Sequence, residues 1–448
     1  MNSAAPWPGP DAAQERVLGI QRKLHKWAED DQDRRFSDLH NLVCDPATLM
    51  VAWQRVRANR GSRSAGVDRQ NAYDIERRLG VERFLGELRE ELRAGNFRPA
   101  PVKERLIPKR GGRLRRLGIA TVRDRVVQAA LKLVLEPIFE ADFQPCSYGF
   151  RPGRRAQDAV AEIHYLTSAP RNYEWIVEAD IEACFDEIDH DALVAQIERR
   201  VCDRRMLKLL RGWLRAGVFE GGIVSAIDAG TPQGSPISPL LANVALHVLD
   251  QAWQGGGQRV GVLVRYADDL VVLCATREQA EQARELVAAV LDMLGLRLHP
   301  EKTRTARLAR GAEGFTFLGF EHRMRESWRQ PGRWYLQKWP SRRAMASIRG
   351  KIRARTERRY ARLPLEWAVE DLNRVLRGWG NYFRHGNSAR KFAQIDSYVN
   401  ERLAILASAK HGLQGRNWVS RFNYEWSTRL GIYRLTGTVK PTVAYASR

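Results

Sequence analysis

Residues 261–275, GVLVRYADDLVVLCA, constrain the fold more than any other stretch, because two apolar runs flank a tetrad with adjacent carboxylates. Val262, Val264 and the run 270–273 are β-branched or leucine residues, the composition of a buried hairpin, and Tyr266, Ala267, Asp268 and Asp269 fall at its bend. Neighbouring carboxylates repel, and removing them from water is costly unless a cation neutralises them. The pattern therefore points to a hard divalent metal with oxygen ligands, Mg²⁺ before others. The competing reading is an exposed Asp-Asp turn on an edge hairpin, which fits poorly between two such apolar runs.

One Asp pair does not hold two metals well, so a further carboxylate is expected on a neighbouring strand. Residues 174–186, EWIVEADIEACFD, read as a strand ending in Asp180, followed by a turn into a helix near His190. A carboxylate at the carboxyl end of a strand faces a crevice. Asp180 with Asp268 and Asp269 would suit two Mg²⁺ ions roughly 3.5–4 Å apart, one activating the attacking oxygen and one stabilising the leaving oxygen in phosphoryl transfer. Polymerases and nucleases use that arrangement.

Further motifs follow one another along the chain: Asn59-Arg60-Gly61 to Gly66-Val67-Asp68, Ile107-Pro108-Lys109 to Leu117-Gly118-Ile119, Ser147-Tyr148-Gly149-Phe150-Arg151-Pro152, residues 180–189, Thr231-Pro232-Gln233-Gly234-Ser235-Pro236, the Tyr266 to Asp269 tetrad, and Leu318-Gly319-Phe320. In this order they resemble the bacterial group II intron-encoded reverse transcriptases, and Arg377-Gly378-Trp379-Gly380-Asn381-Tyr382-Phe383 is similar to that family's maturase-specific segment. The resemblance implies an α+β right-hand polymerase, with fingers and palm built on an antiparallel palm sheet and an α-helical thumb. It divides the chain into an N-terminal helical extension (1–60), fingers and palm (61–330), a thumb and maturase region (331–412) and a basic tail (413–448).

The same resemblance assigns roles. Asp180, Asp268 and Asp269 are the expected catalytic acids, and with Ile181 the expected Mg²⁺ site. Lys109 and Arg115 would grip the triphosphate, Arg through a fork matched to phosphate oxygens and Lys as a point charge. Phe185 lies where an aromatic residue packs beneath the nucleotide sugar and excludes a 2′-hydroxyl; Gln233 and Gly234 fall near sugar and base, and Lys302 near the phosphates, where it could donate a proton to pyrophosphate. Arg151, Arg342, Arg349, Arg353 and Arg377 are the expected RNA contacts. The implied partners are an RNA template with a DNA primer, dNTPs, a cognate group II intron RNA and target DNA, with no H-N-H endonuclease module expected. Glu182 and Cys184 depart from the usual pattern, where a small or basic residue and an aromatic are common, but neither removes a metal ligand.

Charge supports a polyanionic partner. Lys plus Arg number 74 against 52 Asp plus Glu, giving +22 and a pI near 10.2. Basic charge spread along a chain suits nucleic acid through counterion release, whereas an anionic membrane surface favours one short basic amphipathic segment. Five cysteines (44, 146, 184, 202 and 274), without a C-x-x-C pair, argue against a disulfide framework and a zinc ribbon, and reduced thiols are expected. No apolar run approaches the ~18 residues of a membrane span and no signal pattern opens the chain, so a cytoplasmic protein is expected.

Local signals complete the reading. Asp45-Pro46 caps a helix with Leu49, Ala52, Trp53 and Val56 on one face. Residues 102–121 read as a basic hairpin turning at Arg110-Gly111-Gly112, and 122–139 as a helix in which Asp124 and Arg125 serve structure. After a composition shift at Gln330-Pro331-Gly332, residues 341–362 form a basic helix with a Met345, Ile348, Ile352 stripe; Trp379 and Phe383 suit a helical core better than base stacking. Two rivals stay open: a non-catalytic RNA-binding maturase, disfavoured by the intact acids, and a reverse transcriptase adopted by its host for defence or DNA repair.

Overall fold

The structure, a computed structural model of the chain, describes residues 7–108, 114–168, 170–220, 223–225, 230, 234–312, 314–327, 330–413 and 421–440. In chain order the described strands are β1 (Val102–Pro108), β2 (Leu114–Ile119), β3 (Trp175–Asp180), β4 (Val218–Glu220), β5 (Ile223–Ser225), β6 (Val262–Tyr266), β7 (Asp269–Cys274), β8 (Arg304–Arg307), β9 (Phe315–Phe317), β10 (Phe320–Glu326) and β11 (Trp334–Pro340). The chain gathers into two compact units: Met1–Gly153, Asp180–Gln258 and Glu285–His299 form one, and Arg154–Ala179, Arg259–Arg284 and Pro300–Arg448 form the other.

In the first unit, three helices form the N-terminal packing. Helix Pro10–Asp30 buries Ala13, Val17, Leu24 and Ala28, spacings that return to one helical face. Helix Pro46–Ala58 starts as expected: the Asp45 carboxylate accepts from Ala47 N at 2.9 Å, Pro46 occupies the first turn, and Leu49, Ala52, Trp53 and Val56 are buried. Both lie against Val122–Asp142. That helix is capped by Thr121, whose Oγ1 accepts from Asp124 N at 3.1 Å. Asp124 also accepts from Trp213 Nε1 at 2.9 Å, and the buried Arg125 donates to the carbonyls of Gly61 and Ser64, so both charged residues brace the fold as expected.

The sheet of this unit has the order β2-β1-β4-β5, with β1 antiparallel to β2 from Lys103↔Ile119 to Pro108↔Leu114 and parallel to β4. The expected Arg110-Gly111-Gly112 turn lies outside the described residues.

The second unit carries two sheets. One has the order β6-β7-β3-β8; β6 and β7 pair from Val262↔Leu273 to Tyr266↔Asp269, and β3 pairs antiparallel with β8 from Trp175↔Arg307 to Glu178↔Arg304. In β7 Leu270, Val271, Val272, Leu273 and Cys274 are all fully buried. Each such large side chain contributes about 1.5–3 kcal/mol on burial, which pins the hairpin register. The other sheet, β11-β10-β9, was not foreseen, and Gln330-Pro331-Gly332 is part of the connection between β10 and β11.

Helices Arg342–Arg355, Leu365–Phe383, Ala389–Lys410 and Tyr424–Arg429 follow. Met345, Ile348 and Ile352 form the buried stripe that their spacing predicts. Leu365, Ala404, Leu406, Ala407 and Phe422 close a core, and Phe383 packs at 4.8 Å from Phe320 and 4.9 Å from Trp379, so these aromatics are core residues. No helix among the described residues is long and apolar enough to cross a membrane.

Candidate active site

The β6–β7 turn is two residues long. Tyr266 pairs with Asp269 across it, leaving Ala267 and Asp268 at its tip. Ala267 has φ +57°, a left-handed conformation costly for a residue with a Cβ, and it is buried. Arg265, fully buried on β6, donates from Nη1 to the Ala267 carbonyl at 3.1 Å and so holds the strained turn from beneath. Asp268 is half-buried and Asp269 exposed, so both carboxylates stand at the surface end of an apolar hairpin. Burial raises the Tyr266 phenol above its ordinary range.

Asp180 is the last residue of β3, the strand beside β7, and the chain passes into the first unit at this residue. Its carbonyl accepts from His299 N at 2.8 Å. Ile181, buried, continues as a bridge to Leu298, and Glu182 N donates to Arg297 O at 2.8 Å. Among the described residues no three His, Cys, Asp or Glu side chains form a ready-made metal cage. The carboxylate oxygens of Asp180, Asp268 and Asp269 are of the donor type that a hard divalent cation takes together with waters and substrate phosphates.

Phe185 is half-buried in the short helix Cys184–Glu187, and Cys184 beneath it is buried. Gly230 lies close by: its N–H donates to Ile188 O at 2.8 Å, and a Cβ there would meet Asp186 O at 2.5 Å. Gly234, with φ +108°, presses on β2, where a Cβ would lie 2.8 Å from Leu117 Cδ1 and 3.2 Å from Gly118 O. Gly234 also lines a cleft of about 700 Å³ with Asn59, Arg60, Gly61, Arg105 and Ile107. Lys302 is exposed in the turn before β8. Lys109, Gln233 and the side chain of Arg115 lie outside the described residues.

Arg151 requires a correction. Its side chain is only 4 % exposed; it pairs with Glu140 at 2.7 Å and donates to the carbonyls of Gln144, Ser147 and Phe143, so it organises the loop rather than meeting RNA. The loop leaves Phe150 about half exposed at φ +57°. Arg342, Arg349, Arg353 and Arg377 are exposed, with Arg377 stacked 5.0 Å from the Tyr433 ring.

Two residues escaped the sequence reading. Arg265 lies in an apolar strand with nothing local to show that it meets a turn carbonyl. Tyr382 is the other: its hydroxyl donates to Leu318 O at 2.9 Å, and burial, with the charges of Tyr266 and Asp269, pushes its phenol up to about 12.

Residues 107–322 match the reverse transcriptase (RNA-dependent DNA polymerase) family, and residues 345–424 match the group II intron, maturase-specific domain. The chain is 35% identical over 342 residues to Protein YkfC of Escherichia coli, an alignment covering 69% of this chain and 88% of that protein. It belongs to the group II intron reverse transcriptase and maturase family. The fingers-palm and helical thumb architecture of this reverse transcriptase is thus a family property as well as an observed one, and the domain class is RNA-directed DNA polymerase. It is also 33% identical over 238 residues to the group II intron-encoded protein LtrA of Lactococcus lactis, covering 52% of this chain and 38% of LtrA, and 36% identical over 92 residues to nuclear intron maturase 1 of Arabidopsis thaliana. The reverse transcriptase therefore spans under half the length of LtrA.

Proposed function

We propose that the chain copies RNA into DNA at a centre built on Asp180, Asp268 and Asp269, with Mg²⁺ as cofactor. The observation that carries this reading is the strand order: β7, which Asp269 opens, is the hydrogen-bonded neighbour of β3, which Asp180 closes. The three carboxylates, with the main-chain carbonyl of Ile181, would hold the metal, which when bound neutralises them and stabilises charge on the attacking and leaving oxygens. The primer 3′ oxygen bonds to the α-phosphorus of a deoxynucleoside triphosphate and pyrophosphate leaves. Lys109 and Arg115 hold the triphosphate, Lys302 supplies a proton to the leaving group, and Gln233 and Gly234 border sugar and base. Phe185, half-buried beside this strand end, excludes a 2′-hydroxyl.

The exposed arginines 342, 349 and 353 on one basic helix, with Arg377, support binding of group II intron RNA and assistance to its splicing, and target DNA would use the same phosphate chemistry. Trp367, 62 % exposed beside Leu363 in a cleft of about 520 Å³, adds a base-sized apolar surface to that region. Action in the cytoplasm accords with five free cysteines.

Primer extension on poly-rA with dTTP and Mg²⁺ tests the reading. Wild type should extend; Asp268→Asn should extend about 10³-fold more slowly, several kcal/mol at 1.36 kcal/mol per decade, while RNA affinity survives. Equal extension by the variant would refute the assignment.

A further inference from the structure

Helix Arg204–Arg215, RRMLKLLRGWLR, lies between the motifs at 180–189 and 231–236 and carries five bases and no acid. Met206, Leu207, Leu209, Leu210, Trp213 and Leu214 are buried. Arg204, Lys208, Arg211 and Arg215 recur at i, i+4, i+7 and i+11, which draws them into one stripe about 16 Å long on the opposite side. Arg204, Lys208 and Arg215 are exposed, and Arg211 is half-buried.

Charge set out in this way works against the helix that carries it. The start of a helix is already partly positive, yet Arg204 and Arg205 occupy its first turn. Like charges one turn apart, Arg204 with Lys208 and Arg211 with Arg215, repel. The capping Asp203 is committed to the backbone: Oδ1 accepts from Arg205 N at 2.9 Å and Met206 N at 3.2 Å, and Oδ2 from His40 N at 2.8 Å. Among the described residues, Arg211 alone of the five bases has a carboxylate partner, Glu198. The neighbouring loop adds more positive charge: Phe97 packs 5.9 Å from Trp213, a Cβ on Gly212 would lie 2.9 Å from Pro99 Cγ, and Arg98 between them is exposed. A polyanion would relieve all of these repulsions at once.

The helix itself narrows the choice of polyanion. An anionic membrane takes up a basic helix by its apolar side, and here that side is protein core. A single strand is held by stacking on aromatics, but Trp213, the one aromatic of the helix, is buried and donates to Asp124. A row of bases without a stacking surface suits the phosphates of a duplex, gripped without reading sequence. We propose that helix Arg204–Arg215 is a docking rail for the phosphate backbone of an RNA stem, a second RNA surface on a different unit of the chain from helix Arg342–Arg355. The choice of RNA rests on the intron-RNA reading above.

The test is binding of a hairpin RNA without primer or overhang, followed by fluorescence anisotropy across a salt series, beside thermal unfolding without RNA. Arg204→Glu should weaken binding about tenfold and lower the slope of log affinity against log salt by about 1. The same variant should hold or raise Tm, because glutamate suits a first turn and pairs with Lys208 one turn on. Lys208→Gln combined with Arg215→Gln should lower the slope by about 2. Wild-type affinity and slope in these variants, a fall in Tm with Arg204→Glu, or loss of binding to phosphatidylserine vesicles while RNA binding is intact would each overturn the proposal. Loss of RNA affinity in Arg349→Gln but not in Arg204→Glu would overturn it while leaving the intron-RNA reading in place. Failure of wild type to bind the hairpin would refute that reading, and this inference with it.

Discussion

In β6–β7 the strand positions are mostly valines and leucines with almost no exposed surface, Arg265 is buried among them, and the carboxylates are confined to the two-residue turn and its flank. In β1–β2 the paired positions run Lys103, Arg105, Arg116 and Arg115, and the apolar residues that interrupt them are open to solvent, Leu106 at 45 % and Leu114 at 56 %. Both are antiparallel hairpins, yet one spends its side chains on packing and the other on charge. The first holds two mutually repelling carboxylates in a fixed place, which only a rigid, buried base allows. The second carries Lys103, Arg105 and Arg116 exposed to water, with Arg116 3.4 Å from Glu104 on the neighbouring strand, so solvent screens its charge. The acids therefore stand at the end of a tightly packed hairpin, and the bases of β1–β2 stand on an exposed one.

Substitutions at matched positions test this contrast. Leu270→Ala, in fully buried β7, should cost about 2–5 kcal/mol in urea unfolding, whereas Leu106→Ala in β1 should stay within about 0.5 kcal/mol. Equal losses would erase the distinction. The third hairpin, β10–β11, is an intermediate case, since it buries charge-bearing residues inside packed strands. His322 faces Lys338 across it, stacked 4.7 Å from Phe315, and Lys338, 2 % exposed, donates a long 3.4 Å bond to Val160 O.

Burial pushes the Lys338 ammonium down from 10.5 to about 8. Below about pH 8 folded and unfolded chains both carry the proton and the fold bears the whole desolvation cost; from there to about pH 10.5 the unfolded chain binds more proton, so stability rises with pH at this site. Lys338→Met should raise Tm at pH 7 by about 2 °C, and the gap to wild type should close toward pH 10.5. A gap independent of pH would show that the lysine binds its proton as strongly in the fold as in the unfolded chain. The smallest effect belongs to the exposed bases: Arg349→Gln and Arg353→Gln should each lower the slope of log RNA affinity against log salt by about 1, with extension on saturating template unchanged. An unaltered slope would remove these arginines from the RNA surface.

The packed regions were also the legible ones. The apolar runs around Asp268, the Asp45-Pro46 cap and the Met345, Ile348, Ile352 stripe are local patterns, and each element stands where its pattern puts it. Arg151 was misread because a basic residue in a loop looks the same whether it meets phosphate or Glu140, eleven residues back, and nothing local distinguishes them. Arg265 and Tyr382 were missed since their partners are backbone carbonyls, which leave no trace in composition. The sheet β11-β10-β9 went unseen because its buried and exposed positions carry His322, Arg323 and Lys338 rather than a clean alternation of apolar and polar residues.

The central claim is that Asp180 and the Asp268–Asp269 pair share bound metal. Counting Mn²⁺ by electron paramagnetic resonance, in a complex with template, chain-terminated primer and dTTP, addresses it directly. Wild type should bind two ions, and Asp180→Asn and Asp268→Asn should each lose at least one. Undiminished stoichiometry in either variant would contradict the account.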